Sequence, residues 1–215
     1  MKKIDPAITR FPSPVSSELL ARSDTDKVTF IEGKFREILE VLGLDIAHDS
    51  LKHTPRRIAK MYVEEIFSGL NPKNFPEVTC FDAPVDNSAS GIVLVKNIEL
   101  MSYCEHHFVP IVGIAHVAYL PTNKVVGLSK VNRIVRYFAR RPQLQERLTA
   151  QIADSLATVL ETTNVAVVIT AKHFCVSMRG VQDDASETTT QILLGEFLNN
   201  PQMRSEFFQS IPQKE

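Results

Sequence analysis

The sequence is poor in cysteine and nearly neutral in charge. Its three cysteines are an odd number at wide separations, which argues against a disulfide-stapled secreted protein and for reduced thiols in the cytoplasm. The formal net charge of −1 provides no protein-wide field that would attract nucleic acid or an anionic membrane. Any anionic ligand must therefore be bound by a local group of basic residues.

Long apolar runs are also missing. No uninterrupted apolar stretch reaches the roughly 20 residues that cross a bilayer. The amino-terminal stretch MKKIDPAITRFPSPVSSELL begins with charged residues and is interrupted by prolines before any apolar run develops, so it is not a signal peptide. We expect a cytoplasmic protein with no nucleic-acid or membrane partner and, at 215 residues, one principal domain.

The common nucleotide-binding motifs are absent as well. Neither G-x-x-x-x-G-K-[ST] nor G-x-G-x-x-G occurs, so a phosphate-cradling loop of either type is excluded. The zinc deaminase signature fails because the sequence has no P-C-x-x-C.

Apolar spacing predicts helices at the front of the chain and strands after them. Following a Pro- and Ser-rich arm of about 25 residues, helices are predicted over 29–44 and 53–70, the second with Thr54 as its cap. β-Branched residues then dominate 91–100 and 111–121, which predicts two strands on either side of the segment CEHH.

The second half of the chain returns to helical periodicity. Helices are predicted over 127–142, with Ser129 as a candidate cap, and over 144–160; a strand pair within 164–181 and a polar loop or strand at 183–198 follow. The order β, β, α, α, β, β predicts an α+β fold in which two helices pack on one face of a sheet, with the amino-terminal helices as a separate layer.

The segment SYCEHHFVP has residue types and a spacing suited to metal binding. In its C-x-x-H motif, one turn of chain can present Cys104 and His107 to one ion. A third ligand is available in the segment HFC, where a strand would direct His173 and Cys175 to the same face. We predict that Cys175 completes a Cys, His, Cys set for zinc; the alternative is a buried core thiol, to which class we assign Cys80.

Three protein ligands are typical of a catalytic zinc site, in which a bound water has a pKa near about 7, whereas a structural site takes four. His106 and His173 supply acid/base groups at neutral pH. The pattern favours catalysis; the alternative is a non-catalytic protein in which zinc only fastens the CEHH turn to the HFC segment.

Basic residues near the start of one helix form a candidate anion site. Lys130 and Arg133 share a helix face next to Ser129, where backbone amides and the helix dipole also favour negative charge. Arg179 keeps the alternation phase of the HFC segment, if the strand continues, and reaches the same pocket. These residues are either a phosphate site or a solvated basic face.

Glu146 lies away from the apolar stripe of its helix by helical geometry. Such a residue usually faces water. If it faces a pocket, its carboxylate can accept two parallel N–H groups, as on the edge of guanine.

Four long motifs together resemble the GTP cyclohydrolase I family. They are HTPRRIAKMY, CEHHFVP, GLSKVNRIVRYFARRPQLQERLTAQI and HFCVSMRGV, and the resemblance extends over about 30–208. It implies a zinc hydrolase of the tunnelling fold that converts GTP and water to 7,8-dihydroneopterin triphosphate and formate, the first step of pterin and tetrahydrofolate biosynthesis. In such enzymes zinc-activated water attacks C8 of the guanine.

The resemblance also implies roles for individual residues. The metal ligands would be Cys104, His107 and Cys175; the catalytic residues His106, His173 and Ser129; and the substrate-binding residues Lys130, Arg133 and Arg179 for the triphosphate, with Gln145 and Glu146 for guanine. Gln191 stands where the family pattern has Ser or Thr, so a hydroxyl contact is not expected there.

Members of this family form homo-oligomeric rings, commonly two stacked pentamers with pockets at subunit junctions. We therefore expect a decamer, with 91–215 as the tunnelling-fold catalytic core and 1–90 as an amino-terminal arm and helices. The rival enzyme class is the nitrile reductase of deazaguanine metabolism, which uses a thiol nucleophile and a nicotinamide cofactor and would not need CEHH together with HFC.

Overall fold

The computed structural model of the chain describes residues 12–82 and 91–211. Its amino-terminal part is helical, with α1 (Ser17–Leu20), α2 (Asp24–Val41) and α3 (Thr54–Lys60), a π-helical segment at Met61–Ile66, and 3₁₀ turns at Ser68–Leu70 and Pro72–Asn74. The first part of the predicted extended arm, residues 1–11, lies outside the described residues. Helix α1 lies in the remaining part of that arm.

Helix α2 confirms the first predicted helix but begins earlier than Thr29. The reason is a cap that the apolar pattern does not reveal: the Asp26 N–H donates to Ser23 Oγ at 3.1 Å, which satisfies an amide at the start of the helix.

Both predicted caps, Thr54 and Ser129, are wrong. Thr54 is the first residue of α3 and follows His53, which makes no side-chain capping bond. Ser129 is the second residue of α4 (Leu128–Ala139), whose N-cap is Gly127. The Gly127 N–H donates to Thr79 O at 3.2 Å, so the chain is already fixed two residues before the predicted cap.

The described residues form a five-stranded sheet and a separate two-stranded sheet. The strands are β1 (Cys80–Asp82), β2 (Val93–Cys104), β3 (Pro110–Tyr119), β4 (Lys124–Val126), β5 (Pro142–Gln143), β6 (Val165–His173) and β7 (Thr188–Leu193). The larger sheet has the order β5-β2-β3-β6-β7, with β5 and β2 parallel and the other neighbours antiparallel; the smaller sheet pairs β1 with β4.

Helices α4 and α5 (Gln145–Leu160) cover one face of the larger sheet. Their buried apolar side chains, which include Ile134, Phe138, Leu148 and Ile152, form one core with the strands. Removal of this apolar surface from water is the main force that holds helices and sheet together. The predicted α+β class, with two helices packed on one face of a sheet, is confirmed.

Two further helices, α7 (Glu196–Asn199) and α8 (Pro201–Ser210), contribute to a second apolar cluster. Phe197 and Phe207 pack with their ring centroids 5.5 Å apart, in the same cluster as Ala166 and Val168 of β6. The central strands are therefore buried on both faces. In the described ranges, no helix combines the length and the apolar content that a membrane crossing requires.

Strand β6 ends earlier than the sequence pattern predicts. Its last pairing joins His173 to Ile111, directly after Pro110, which has no N–H to continue the ladder. The chain then forms the short helix α6 (Phe174–Ser177). The prediction that Cys175 and Arg179 lie on a strand is therefore wrong. Strand β7 shows that the segment 183–198 contains a strand rather than only a loop.

Candidate metal centre and active site

Three metal-binding side chains gather where β2 and β6 end. One ligand atom each from Cys104, His107 and Cys175 all lie within 4.8 Å of one another. Cys104 is the last residue of β2, His107 lies in the turn that follows, and Cys175 lies in α6. The structure thus brings together the three residues that the sequence pattern predicts as metal ligands.

The turn that carries His107 is fixed by its own backbone. The Phe108 N–H donates to Cys104 O at 2.8 Å, and the Cys104 N–H donates to Val109 O at 2.9 Å. Phe108 has φ of 54°, in the left-handed region that costs a non-glycine residue about 1–2 kcal/mol. The bonds on either side hold this conformation, so the turn presents His107 in one arrangement.

The spacing of the donor atoms suits zinc. Cys104 Sγ lies 3.9 Å from Nδ1 of His107. On a tetrahedral zinc ion, a sulfur ligand and a nitrogen ligand are about 3.6 Å apart, which is close to this distance. His106 Nδ1 is also 3.9 Å from Cys104 Sγ, but His106 does not belong to the mutually close group of three. The Arg179 guanidinium contacts the other ring nitrogen of His107, Nε2, at 3.2 Å.

The two thiols are placed where a cation would favour their ionised form. Burial raises the pKa of the Cys175 thiol, and the neighbouring thiol of Cys104 raises it further. Bound to a divalent cation, thiols are deprotonated, so metal binding at this site would release protons.

An ion pair ties the CEHH turn to the start of α5. Arg147 Nη1 lies 2.6 Å from Glu105 Oε2, and both side chains are mostly buried. Partial burial makes this pair stronger than an exposed one. This ion pair was not predicted from the sequence. The available signal was the position of Glu105 in CEHH, next to one cysteine and two histidines. If this turn packs against the protein, the Glu105 carboxylate needs a cationic partner.

His173 stands beside the metal group and points to a different partner. Its Nε2 lies 2.7 Å from Oε1 of Gln145. Burial lowers the pKa of His173, while the negative charge of Glu146 acts in the opposite direction. Burial therefore disfavours the protonated imidazole, and Glu146 is close enough to act against this effect.

The two residues predicted to recognise guanine lie in different environments. Gln145 is 1% exposed and bonds to the protein interior, whereas Glu146 is exposed at the first turn of α5. Sequence periodicity indicated that Glu146 faces outward, which the structure bears out. It gave no indication that Gln145 would bond to His173.

The candidate anion site is not joined to the metal group within one chain. Ser129 and Arg133 are exposed on α4, and Lys130 is half-buried. Among the residues described by the structure, no hydrogen bond or ion pair links these three to Cys104, His107 or Cys175. Arg179 is the predicted phosphate-binding residue that contacts the metal group.

Comparisons with known proteins give a consistent result. The family model described as GTP cyclohydrolase I matches residues 31–212. The chain is 57% identical over 177 residues to GTP cyclohydrolase 1 of Aeromonas hydrophila, which covers 82% of this chain and 80% of that protein. It is 54% identical over 189 residues to GTP cyclohydrolase 1 of Vibrio vulnificus, with 88% and 86% covered. For the protein of that name from Photobacterium profundum, identity is 52% over 199 residues, with 93% and 90% covered.

Proposed function

This chain belongs to the GTP cyclohydrolase I family, and we propose that it converts GTP and water to 7,8-dihydroneopterin triphosphate and formate with a zinc ion held by Cys104, His107 and Cys175. The observation that carries the proposal is the mutual approach, within 4.8 Å, of two thiols and one imidazole from distant parts of the chain. Thiolate and imidazole are the ligands that zinc prefers.

A bound zinc ion would supply a Lewis acid that lowers the pKa of water for attack on guanine C8. The remaining steps depend on the protein's own groups. His173 can accept a proton from the attacking water and return it to a ring nitrogen as the imidazole ring of guanine opens to a formamide. A second water then hydrolyses the formamide to release formate, and the freed amine condenses with the rearranged ribose carbons with loss of one water, so that one water is consumed overall. His106, exposed in the same turn, is the second group proposed to transfer protons. Ser129 is proposed to lie near the ribose.

Substrate binding is assigned to charged residues around this centre. Lys130, Arg133 and Arg179 would bind the triphosphate, and the contact between Arg179 and His107 supports its place beside the metal. The exposed Glu146 carboxylate would accept the two parallel N–H groups of guanine. Gln145 was predicted to act in the same segment, but its side chain is buried, which indicates a different role.

The family resemblance supports an oligomeric active site, in which Ser129, Lys130 and Arg133 would act on GTP bound at the metal group of a neighbouring subunit. We therefore propose a homo-oligomer, a decamer of two stacked pentamers, in which 91–215 forms the catalytic core. The proposed setting is the cytoplasm, at the entry to tetrahydrofolate biosynthesis.

The test is incubation with GTP, followed by measurement of formate and of the pterin absorbance before and after chelation, together with metal analysis. We expect equal amounts of formate and pterin, loss of both with the chelator, and recovery with added zinc. Absence of formate from GTP in the zinc-loaded protein would reject the proposal. Thiol-dependent nitrile reduction with a nicotinamide cofactor would indicate the rival enzyme, and bound zinc without any turnover would indicate the structural alternative.

A further inference from the structure

We propose that Gln145 is a positioning residue that fixes the proton of His173 on Nε2, rather than a residue that contacts guanine. This inference rests on the proposed function, in which His173 transfers protons. It is carried by the hydrogen bonds around the Gln145 side chain.

The amide nitrogen of Gln145 faces the neighbouring strands β6 and β7. Its Nε2 lies 3.1 Å from Ile169 O, 2.9 Å from Thr188 O and 3.1 Å from Thr190 Oγ1. A carbonyl oxygen can only accept, so the two carbonyls require a donor at this position. The backbone of β6 and β7 therefore fixes which way the amide group points.

With the nitrogen facing the strands, the amide oxygen faces His173. Gln145 Oε1 is 2.7 Å from His173 Nε2, and because an amide oxygen only accepts, this ring nitrogen must carry a hydrogen. In the neutral imidazole the other ring nitrogen, Nδ1, is then the acceptor. The bonds from strand to amide to imidazole thus select one of the two tautomers.

The position of Gln145 leaves its side chain no access to a ligand. It is 1% exposed, and both ends of its amide are engaged. The start of α5 is held to the same strand a second time, because Thr149 Oγ1 donates to Gln145 O at 2.7 Å and lies 2.6 Å from Thr190 Oγ1. Guanine recognition in this segment therefore falls to the exposed Glu146 and not to the Gln145 amide.

Selection of the tautomer affects the reaction rather than binding. An imidazole whose proton sits on the wrong nitrogen cannot accept a proton at Nδ1, although the pocket keeps its shape. Loss of a residue that orients a functional histidine typically lowers activity by about 10–100-fold. The effect should therefore appear in kcat and leave KM for GTP nearly unchanged.

The experiment uses Gln145→Met, which keeps the length of the side chain and removes its hydrogen bonds. We expect kcat to fall by about 10–100-fold, with KM for GTP changed by less than about 2-fold. In a His173→Ala background the same substitution should produce no further fall, because the residue acts through His173. A second readout is the ¹⁵N–¹H correlation spectrum of histidine-labelled zinc-loaded protein, in which His173→Ala identifies the signal; the wild type should show hydrogen on Nε2.

The matched control is Gln143→Met. Gln143 is also fully buried and also donates from Nε2, at 2.9 Å to Phe138 O and 2.8 Å to Gln151 Oε1, but does not contact His173. We expect a loss of stability with kcat within about 2-fold of wild type. Equal losses of kcat in the two variants would contradict the positioning role, as would a raised KM with unchanged kcat in Gln145→Met.

The wild-type spectrum keeps the inference testable even if Gln145→Met fails to fold, because hydrogen on Nδ1 of His173 would overturn it directly. It also separates this inference from the proposed function. A protein that shows hydrogen on Nε2 but releases no formate from GTP retains the hydrogen-bond assignment and loses the enzymatic one. Active wild-type protein with hydrogen on Nδ1 retains the enzymatic proposal alone.

Discussion

The two ends of strand β6 perform different tasks. At its amino end, side chains are buried on both faces: Val167 and Ile169 pack with α4 and α5, while Ala166 and Val168 belong to the cluster of Phe197 and Phe207. At its carboxyl end Lys172 and His173 are only half-buried, and the chain leaves the sheet at His173. The apolar end therefore fixes the register of β6, and the position of the polar end follows from that register.

The largest expected effect is at the polar end. Cys175→Ser should lose both bound metal and turnover, because a hydroxyl is a poor replacement for a thiolate ligand of zinc. His173→Ala should retain the metal while turnover falls by about 10²–10⁴-fold, as expected for loss of a general acid/base group. Metal analysis and formate release measured on the same preparations check both. Full activity in His173→Ala would remove its acid/base role, and zinc retained in Cys175→Ser would remove the ligand assignment.

The next effect concerns the register itself. Gly113 of β3 lies opposite Ala171, and a Cβ at Gly113 would come within 2.1 Å of Thr170 O and 2.5 Å of Ala171 Cα. Because both are backbone atoms, the strands would have to separate. We expect Gly113→Ala to lower the free energy of unfolding by about 3 kcal/mol, measured by urea denaturation.

A matched control for Gly113→Ala exists outside the sheet. Gly33 lies within α2, and a Cβ there meets no atom within 4 Å. Gly33→Ala should stabilise the protein by about 0.5–1 kcal/mol, since alanine loses less backbone entropy than glycine in a helix. If both variants shifted stability in the same direction, close packing between β3 and β6 would not be the cause at Gly113.

A smaller effect is expected from the ion pair that anchors the CEHH turn. Arg147→Ala leaves the mostly buried Glu105 without its cation, so the turn should hold His107 less firmly. We expect zinc affinity to fall by about 10-fold, measured by competition with a chromophoric chelator. In a Glu105→Ala background, Arg147→Ala should have no further effect on zinc affinity. An equal loss in both backgrounds would show that Arg147 acts by some route other than Glu105.

The sequence was sufficient for much of the fold and for the identity of the metal group. β-Branched runs predicted β2 and β3, and four-residue spacing predicted α5, because burial of one helix face imposes that period. The C-x-x-H spacing and the HFC segment identified three side chains that do meet. The strand geometry used to bring them together was nevertheless incorrect.

The errors have a common physical origin. A strand continues only while its neighbour offers backbone partners, and this information lies in β3, not in the segment around Cys175. The change from β6 to α6 also explains why His173 and Cys175, which alternation placed on one face, face Gln145 and Cys104 instead. Likewise, the bond between Arg147 and Glu105 joins residues 42 positions apart, which no local pattern reveals.

The smallest effect tests the apolar end through His116, a titratable residue of β3. His116 pairs with Val168 and is 3% exposed, and its Nδ1 accepts from the Asn97 N–H at 3.4 Å. Burial lowers the pKa of His116, and the positive charge of Lys96 lowers it further. Below the ordinary pKa of about 6.5, the unfolded chain therefore binds a proton that the folded protein resists.

The sign follows from this difference in bound protons. The free energy of unfolding should be independent of His116 above pH 7 and should decrease as pH falls below about 6.5, by at most about 1.4 kcal/mol per pH unit. His116→Asn keeps an acceptor near the Asn97 N–H and cannot be protonated, so it should lose this contribution. Urea denaturation of both proteins from pH 5 to 8 measures the difference between their free energies of unfolding. The contributions of the other titrating groups cancel in this difference. If the free energy of unfolding of the two proteins changed with pH in parallel, the pKa of His116 would not be lowered by burial. The apolar end of the sheet would then carry a charged imidazole at no cost in stability, as a solvent-exposed site does.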